Sequence, residues 1–299
     1  MYPPEFDYYR PGDVSEAIDL LSGGGRVLSG GQSLLTELKA RQTDPGRLID
    51  VGRLESLSGI DAGSEGVRIG ATTTYAECVD SAGVREAIPV FAAAAEHVGD
   101  PQVRNRGTVG GNLAQADPEG DLPPAALAAD ATVHVAGPDG ERTIPADDLF
   151  EGENRTALES EELVTELVLP AHDAGGYARR THPASGYAMV SAAVVFDVES
   201  EAVAGARVAA GGAVERAIRL AGVEKTIEGT PVADLAGNGF PTEIGNALDR
   251  AGDEVDDELP YGDRHASASH RRELLPAYVE RAIENAIDGT GSAEGGESR

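Results

Sequence analysis

Two glycine-rich loops hold the groups best suited to chemistry in this sequence. The first is Ser29-Gly30-Gly31-Gln32-Ser33, and the second is Arg106-Gly107-Thr108-Val109-Gly110-Gly111-Asn112. Each combines hydroxyls, a glycine pair and an amide at a strand or helix edge. Glycines let a backbone come close to a ligand, and N–H groups exposed at a helix start attract an anion. Two such loops from separate segments suit the two sides of a diphosphate, with the amides of Gly110 and Gly111 turned toward it. Taken singly, each loop reads first as a tight turn. Neither matches G-x-G-x-x-G and neither carries a lysine, which argues against a nucleoside triphosphatase. His97, His134, His172, His182, His265 and His270 show no metal-ligand spacing and read as surface or core residues. No G-x-S-x-G nucleophile elbow occurs. Tyr187, after Ser185-Gly186 at the start of a strand, is either core or a ring stacked on a planar ligand.

The elements that must position these loops are locally legible. Asp13 is an N-cap with Glu16 three residues on, and Val14, Ala17, Ile18 and Leu21 share one helical face. Gly23 to Gly25 stop that helix. Residues 26–28 are then a strand entering the first loop, a helix runs from Leu34 to about Arg41, and 48–51 are the next strand. This is a β–α–β unit with its glycine turn at the strand-to-helix junction. A strand over 67–71, a short helix over 75–79 and a longer alanine-rich helix over 84–98 lead to the second loop. Residues 131–135 and 142–144 form a hairpin around Pro138-Asp139-Gly140, and 163–169 form a strand ended by Pro170. Residues 171–176 read as a linker. Beyond it 188–198 and 202–210 are two antiparallel strands. Leu274, Leu275, Tyr278, Val279, Ala282, Ile283 and Ala286 make an apolar helical stripe. The tail 289–299 is Gly/Ser/Glu-rich and reads as disordered.

Composition narrows the class. The 299 residues include 24 Lys+Arg against 52 Asp+Glu, a formal charge of −28, and 40% hydrophobic residues supply buried cores. Only Lys39 and Lys225 are lysines, and there is no tryptophan. The carboxylates are spread along the chain, which suits a solvated surface and disfavours nucleic acid, whose phosphates need a basic face. Screening in a cytosol of very high salt makes such a charge tolerable. No apolar run reaches the ~18–20 residues of a membrane span, and the start has no signal-peptide core, so a soluble cytoplasmic protein is expected. A lone cysteine, Cys78, precludes an internal disulfide or a cysteine-ligated iron–sulfur cluster within this chain.

The second loop with its flanks, Val103-Arg104-Asn105-Arg106-Gly107-Thr108-Val109-Gly110-Gly111-Asn112-Leu113-Ala114 and then Asp117-Pro118-Glu119-Gly120-Asp121-Leu122-Pro123, resembles the second flavin loop of the molybdenum hydroxylase flavoprotein subunits. These are the medium subunits of aerobic carbon monoxide dehydrogenase and xanthine dehydrogenase-type enzymes. The first loop resembles that family's first FAD loop, and Asp263-Arg264-His265-Ala266-Ser267-Ala268-Ser269-His270-Arg271-Arg272 resembles its C-terminal domain. The resemblance runs in order from Met1 to about Ile287.

The resemblance implies an α+β protein. It would have a vanillyl-alcohol-oxidase-like (PCMH-type) FAD-binding fold of two α/β subdomains, plus a C-terminal α/β domain of antiparallel sheet and helices. The FAD domain would span 1–172, with subdomains of about 1–55 and 56–172, and the C-terminal domain 173–288. Carried over by position, Val27, Leu28, Ser29, Gly30, Gly31, Gln32, Ser33 and Leu34 would wrap the FAD diphosphate from one side. Thr108, Gly110 and Gly111 would meet it from the other. Asn112, Gln115 and Asp121 match positions near the ribityl and diphosphate part, and Leu163 an apolar contact near the flavin. Tyr187 matches the position that covers the isoalloxazine ring, and Arg180 a basic residue near the flavin's polar edge. Gln32 stands where histidine or asparagine is common, and His270 where tyrosine is usual. No histidine of the flavin-attaching type is identifiable, so noncovalent FAD is expected.

The implied function is electron transfer. An oxidoreductase FAD subunit would pass electrons from [2Fe–2S] clusters of a small partner subunit to NAD+, a quinone or another acceptor. The molybdenum cofactor would sit on a large partner subunit, in a heterotrimer that dimerises. A carbon monoxide dehydrogenase-like complex is the first expectation, and a xanthine or aldehyde dehydrogenase-type subunit the alternative. A flavin-less assembly subunit is disfavoured because both loops are intact. A self-contained FAD oxidase is disfavoured because little chain remains for a substrate domain.

Overall fold

The computed structural model describes residues 2–236, 239–255 and 260–291. The expected tail lies outside the described residues from 292 onward. Its first three residues belong to the last helix, Ala268–Gly291. Three sheets, beside a two-stranded ribbon of Phe150–Gly152 and Arg155–Thr156, organise the described residues. The first is small and parallel, with Arg47–Asp50 central between Asp7–Tyr9 and Arg26–Leu28. The expected β–α–β unit is there, its helix Leu34–Ala40 closed by Arg41 in the left-handed region at φ 58°.

The second sheet is antiparallel, in the order Ile60–Gly63, Gly66–Gly70, Leu163–Pro170, Thr132–Gly137, Gly140–Pro145. Helices including Pro89–His97, Val109–Gln115 and Leu122–Ala128 cover one of its faces, and their apolar residues form the largest core cluster. The third sheet is also antiparallel, in the order Ala174–Thr181, Ala188–Glu199, Ala202–Gly211, Ile218–Arg219. Alternation within its strands sends Tyr177, Ala193 and Val195 into the core shared with the second sheet. Ala178, Ala192 and Val194 instead pack on Tyr278, Val279, Ala282, Ile283 and Ala286 of the last helix. Because the third sheet is buried on both faces, its strand Ala188–Glu199 reads as a nearly continuous apolar run.

Two expectations are corrected. The helix expected over 84–98 is two helices, Ala82–Ala87 and Pro89–His97. Proline lacks an N–H and forces the residue before it out of the helical region, and Ile88 lies at φ −137°, ψ 66°. Of the linker expected over 171–176, residues 174–176 are strand. Gly175 and Gly176 are buried in Ala174–Thr181. A Cβ on Gly175 would press on Val90, and one on Gly176 on the backbone of Ala282 and Ala286. These glycines serve close packing rather than chain flexibility.

Candidate functional site

A cleft of about 1110 Å³ opens between the small parallel lobe, the 98–121 segment and the strand Ala174–Thr181 with its following loop. Of the site residues expected from the sequence, Val27, Ser29, Gly30, Gly31, Gln32, Ser33, Leu34, Thr108, Gly110, Gly111, Asn112, Gln115, Asp121, Leu163 and Tyr187 line it. Leu28 and Arg180 do not. Leu28 alternates with Val27 along its strand and turns into the small core of Leu34, Leu38 and Leu48. Arg180 is exposed on the far side of its strand, and its neighbour Arg179 is the basic residue on the cleft wall.

The first loop is an anion cradle. Leu28 ends the strand by accepting from Val51 N–H (2.9 Å), and Gly31 turns the chain at φ +75°, a conformation suited to glycine. The N–H groups of Gly30, Gly31, Gln32, Ser33 and Leu34 have no acceptor among the described residues. The carbonyls of Gly31 and Ser33 are taken by Leu35, Thr36 and Glu37. Five successive free amides in a turn make a concavity for an anion. Gly30 and Gly31 are half-buried and Leu34 is buried, while Gln32 and Ser33 are exposed, so the set is open to an acceptor from solvent or a ligand.

The second loop meets the first directly. Ser29 and Thr108 hydroxyls bond at 2.9 Å. A Cβ on Gly30 would run into the carbonyl of Arg106 and the Cα of Gly107. The glycine pair divides its labour, which corrects the expectation that both amides face the ligand. Gly110 N–H donates to Ala71 O at 2.9 Å, as Val109 N–H does to Thr73 O at 3.0 Å. The Gly111 N–H has no partner among the described residues and remains for a ligand.

At the other end the cleft is polar and aromatic. Asn112 Nδ2 donates to the Tyr75 hydroxyl at 3.1 Å, and burial pushes that phenol up to about 12. The Asp121 carboxylate accepts from Tyr177 Oη (2.6 Å) and twice from Arg179 Nη1 (3.0 and 2.8 Å). Burial pushes Asp121 upward, opposed by Arg179 and Tyr177. Asp121 thus ties the two sheets together at the cleft floor. Gln115 Nε2 bridges to Glu37 (3.2 Å) and Asn154 (3.1 Å), joining the small lobe to the second sheet's helices. Tyr187 is 52% exposed, at the end of a loop closed by His182 N–H to Tyr187 O and Gly186 N–H to His182 O. It is therefore not core, which leaves its ring available to a planar ligand.

Sequence reasoning missed Tyr75, Asp117, Arg179 and His182, all on the cleft. Arg179 was findable: a strand read over 174–181, where none was expected, puts Arg179 on the face of buried Tyr177 by period-two alternation.

Comparison with known proteins gives concordant findings. Residues 4–172 match the FAD binding domain in molybdopterin dehydrogenase, and residues 177–286 match the CO dehydrogenase flavoprotein C-terminal domain. The chain is 34% identical to the nicotine 6-hydroxylase medium subunit of Paenarthrobacter nicotinovorans, over 94% of this chain and 96% of that protein. It is also 34% identical to the carbon monoxide dehydrogenase medium chain of Hydrogenophaga pseudoflava, over 95% and 97%. The structure of carbon monoxide dehydrogenase from that bacterium, lacking the Mo-pyranopterin moiety, superposes with a TM-score of 0.87 at 33% identity. That match covers 97% of this chain and 99% of the other.

Proposed function

This chain belongs to the family of FAD-binding medium subunits of carbon monoxide dehydrogenase and related molybdenum hydroxylases, and from that premise we infer how its cleft serves electron transfer. It is the flavoprotein component of a multi-subunit oxidoreductase. The carrying observation is the cradle of free amides at Gly30 to Leu34, faced by the Gly111 N–H across the Ser29–Thr108 bridge. Those donors fit a diphosphate, and the Cβ-free approach of Gly30 to the second loop fits a ligand held between two backbones. Bound FAD supplies a ring system that exchanges electrons with one- and two-electron partners. The chain's own residues bind it, orient it and shut out water. Tyr187 would lie on the isoalloxazine, with the Arg179–Asp121 ion pair on the cleft wall. Leu163, packed with Val51 and Val27, would be the apolar contact for the flavin.

Purified with its partners, the complex is expected to carry one FAD per copy of this chain, released by acid precipitation as a noncovalent cofactor. Absence of flavin absorbance after reconstitution with FAD would count against the reading and favour an assembly subunit.

The small [2Fe–2S] and large molybdenum-cofactor partners, assembled as a dimerised heterotrimer, complete this proposal. The medium-subunit names of the relatives support it. A carbon monoxide dehydrogenase-type complex is proposed on the match to the CO dehydrogenase flavoprotein C-terminal domain. A relative of equal identity is named for nicotine, which fits a chain that handles electrons while a partner handles substrate. Among the described residues no helix is long and apolar enough to cross a membrane.

A high-salt cytosol belongs to the same proposal and rests on the charge of −28. Salt screens repulsion between exposed carboxylates that lie farther apart than the Debye length, ~3 Å at 1 M. The thermal midpoint is therefore expected to rise steadily from 0.1 to 2 M KCl. A midpoint independent of salt would remove the support for that habitat.

A further inference from the structure

Tyr187 rides on a short loop whose hydrogen bonds close on themselves. His182 N–H donates to Tyr187 O (3.0 Å), Gly186 N–H to His182 O (2.9 Å), Ala184 N–H to His182 Nδ1 (3.2 Å) and Tyr187 N–H to Ser185 Oγ (3.3 Å). Among the described residues, no hydrogen bond of 182–187 reaches another segment. A ring pair does reach one. His182, half-buried on the cleft wall, lies with its ring centre 4.5 Å from that of His265, at an interplanar angle of 38°.

His265 is a fixed support. The Asp263 carboxylate accepts the N–H groups of His265 (2.9 Å) and Ala266 (3.0 Å) and pairs with buried Arg271 (2.7 Å). The ring states follow from the donors that meet them. A backbone N–H and an arginine Nε–H can only donate. His182 Nδ1 meets the first and His265 Nε2 the second, from Arg264 at 3.1 Å, so each of these nitrogens carries a lone pair. Both imidazoles are neutral in this arrangement. Charging His182 would set its Nδ1–H against the Ala184 N–H and place a cation one ring away from Arg264. The other charged groups around the pair are engaged: Asp263 and Glu119 with Arg271, and Arg179 with Asp121. Asp117 lines the same cleft, and Arg180 is exposed on the far side of the strand. The nearby phenols are Tyr187 on the loop itself and Tyr261 over Arg271.

We propose that His182 is a positioning residue: set ring to ring on neutral His265, it holds the 182–187 loop, and with it Tyr187, at the cleft, and it lets the loop go when it is protonated. The role of Tyr187 rests on the FAD reading, whereas the contact between the two imidazoles does not. The sign follows from which form fits: the closed loop needs the neutral ring, so it is held above the pH range in which histidine charges and released below it.

The test uses the assembled complex without flavin and follows hydrogen exchange of the 182–187 amides, with the intrinsic pH dependence of free amides divided out. Protection is expected to hold at about pH 8 and to fall roughly tenfold by about pH 5.5, as histidine gains charge. His182→Phe keeps a ring on His265 but cannot be protonated there, so its protection should not fall with pH. His265→Ala removes the support, so its protection should be low throughout that range. Thermal midpoints matching wild type separate loop release from unfolding. Wild-type protection in His265→Ala, or an undiminished pH step in His182→Phe, would overturn the proposal. With FAD added, His265→Ala should raise the fluorescence of the bound flavin, because a released Tyr187 no longer quenches it. A released loop without that rise would instead overturn the placement of Tyr187 on the flavin.

Discussion

Arg271→Met is expected to lower the folding free energy by about 3–5 kcal/mol, the usual consequence of removing one partner from a buried ion pair. Arg271 is fully buried. Its Nη1 donates to the carbonyls of Met189 (3.1 Å) and Gly212 (3.0 Å), and its Nη2 to Glu119 (2.7 Å) and Asp263 (2.7 Å). The guanidinium also lies 5.1 Å from the ring centre of Tyr261. One side chain thus joins the last helix, two strands of the third sheet, and the segment between the second flavin loop and the helix Leu122–Ala128. Methionine fills most of the volume but leaves Glu119 and two strand carbonyls without a donor. Glu119 is already pushed up by burial and is held down chiefly by Arg271, so the orphaned carboxyl should take a proton instead of staying charged. Denaturant unfolding measures the loss, with Arg281→Met as control. Arg281 is exposed and lies over the Tyr278 ring, so its change should stay within about 0.5 kcal/mol. A loss below about 1 kcal/mol for Arg271→Met would show that the clamp is dispensable.

Legibility in the sequence followed the range of the interactions. The first loop and its β–α–β unit were readable because a short strand, a glycine turn and a capped helix are set by neighbours within a few residues. The same holds for the Asp13 cap, which accepts Glu16 N–H at 2.8 Å. What escaped depends on distant partners. Gly175 and Gly176 read as linker because nothing local says that Val90 and Ala282 lie against them. That misreading left the strand Ala174–Thr181 unexpected, and Arg180 rested on the family resemblance alone. Arg271 was visible only as part of a family-like string, since its partners are from 8 to 152 positions away. The glycine pair at 110–111 was recognised as a unit, but the division of its amides needs the carbonyl of Ala71, thirty-nine positions upstream.

That division turns two adjacent substitutions into opposite experiments. Gly111→Val is expected to give a folded chain depleted of FAD, and Gly110→Val a chain that folds poorly. A Cβ on Gly110 would meet Ala71 Cβ at 2.6 Å and its carbonyl oxygen at 2.9 Å, inside the main core, where backbone cannot give way cheaply. A Cβ on Gly111 would meet only the Thr108 hydroxyl at 2.7 Å, with Ser29 Cβ at an ordinary 3.8 Å. It therefore pushes on the Ser29–Thr108 bridge and stands beside the Gly111 amide, which has no acceptor among the described residues. Losing one or two charge-assisted bonds to the diphosphate, at about 1.5–3 kcal/mol each, weakens FAD binding at least tenfold to a hundredfold. Gly111 lies in the first turn of a helix with no positive φ, so the fold itself has little reason to object. Flavin-to-protein ratio measured beside thermal unfolding, both in high salt, distinguishes the two outcomes. Full flavin occupancy in a soluble Gly111→Val complex would remove the second loop from the diphosphate, and with it the geometric basis for reading this cleft as the FAD site.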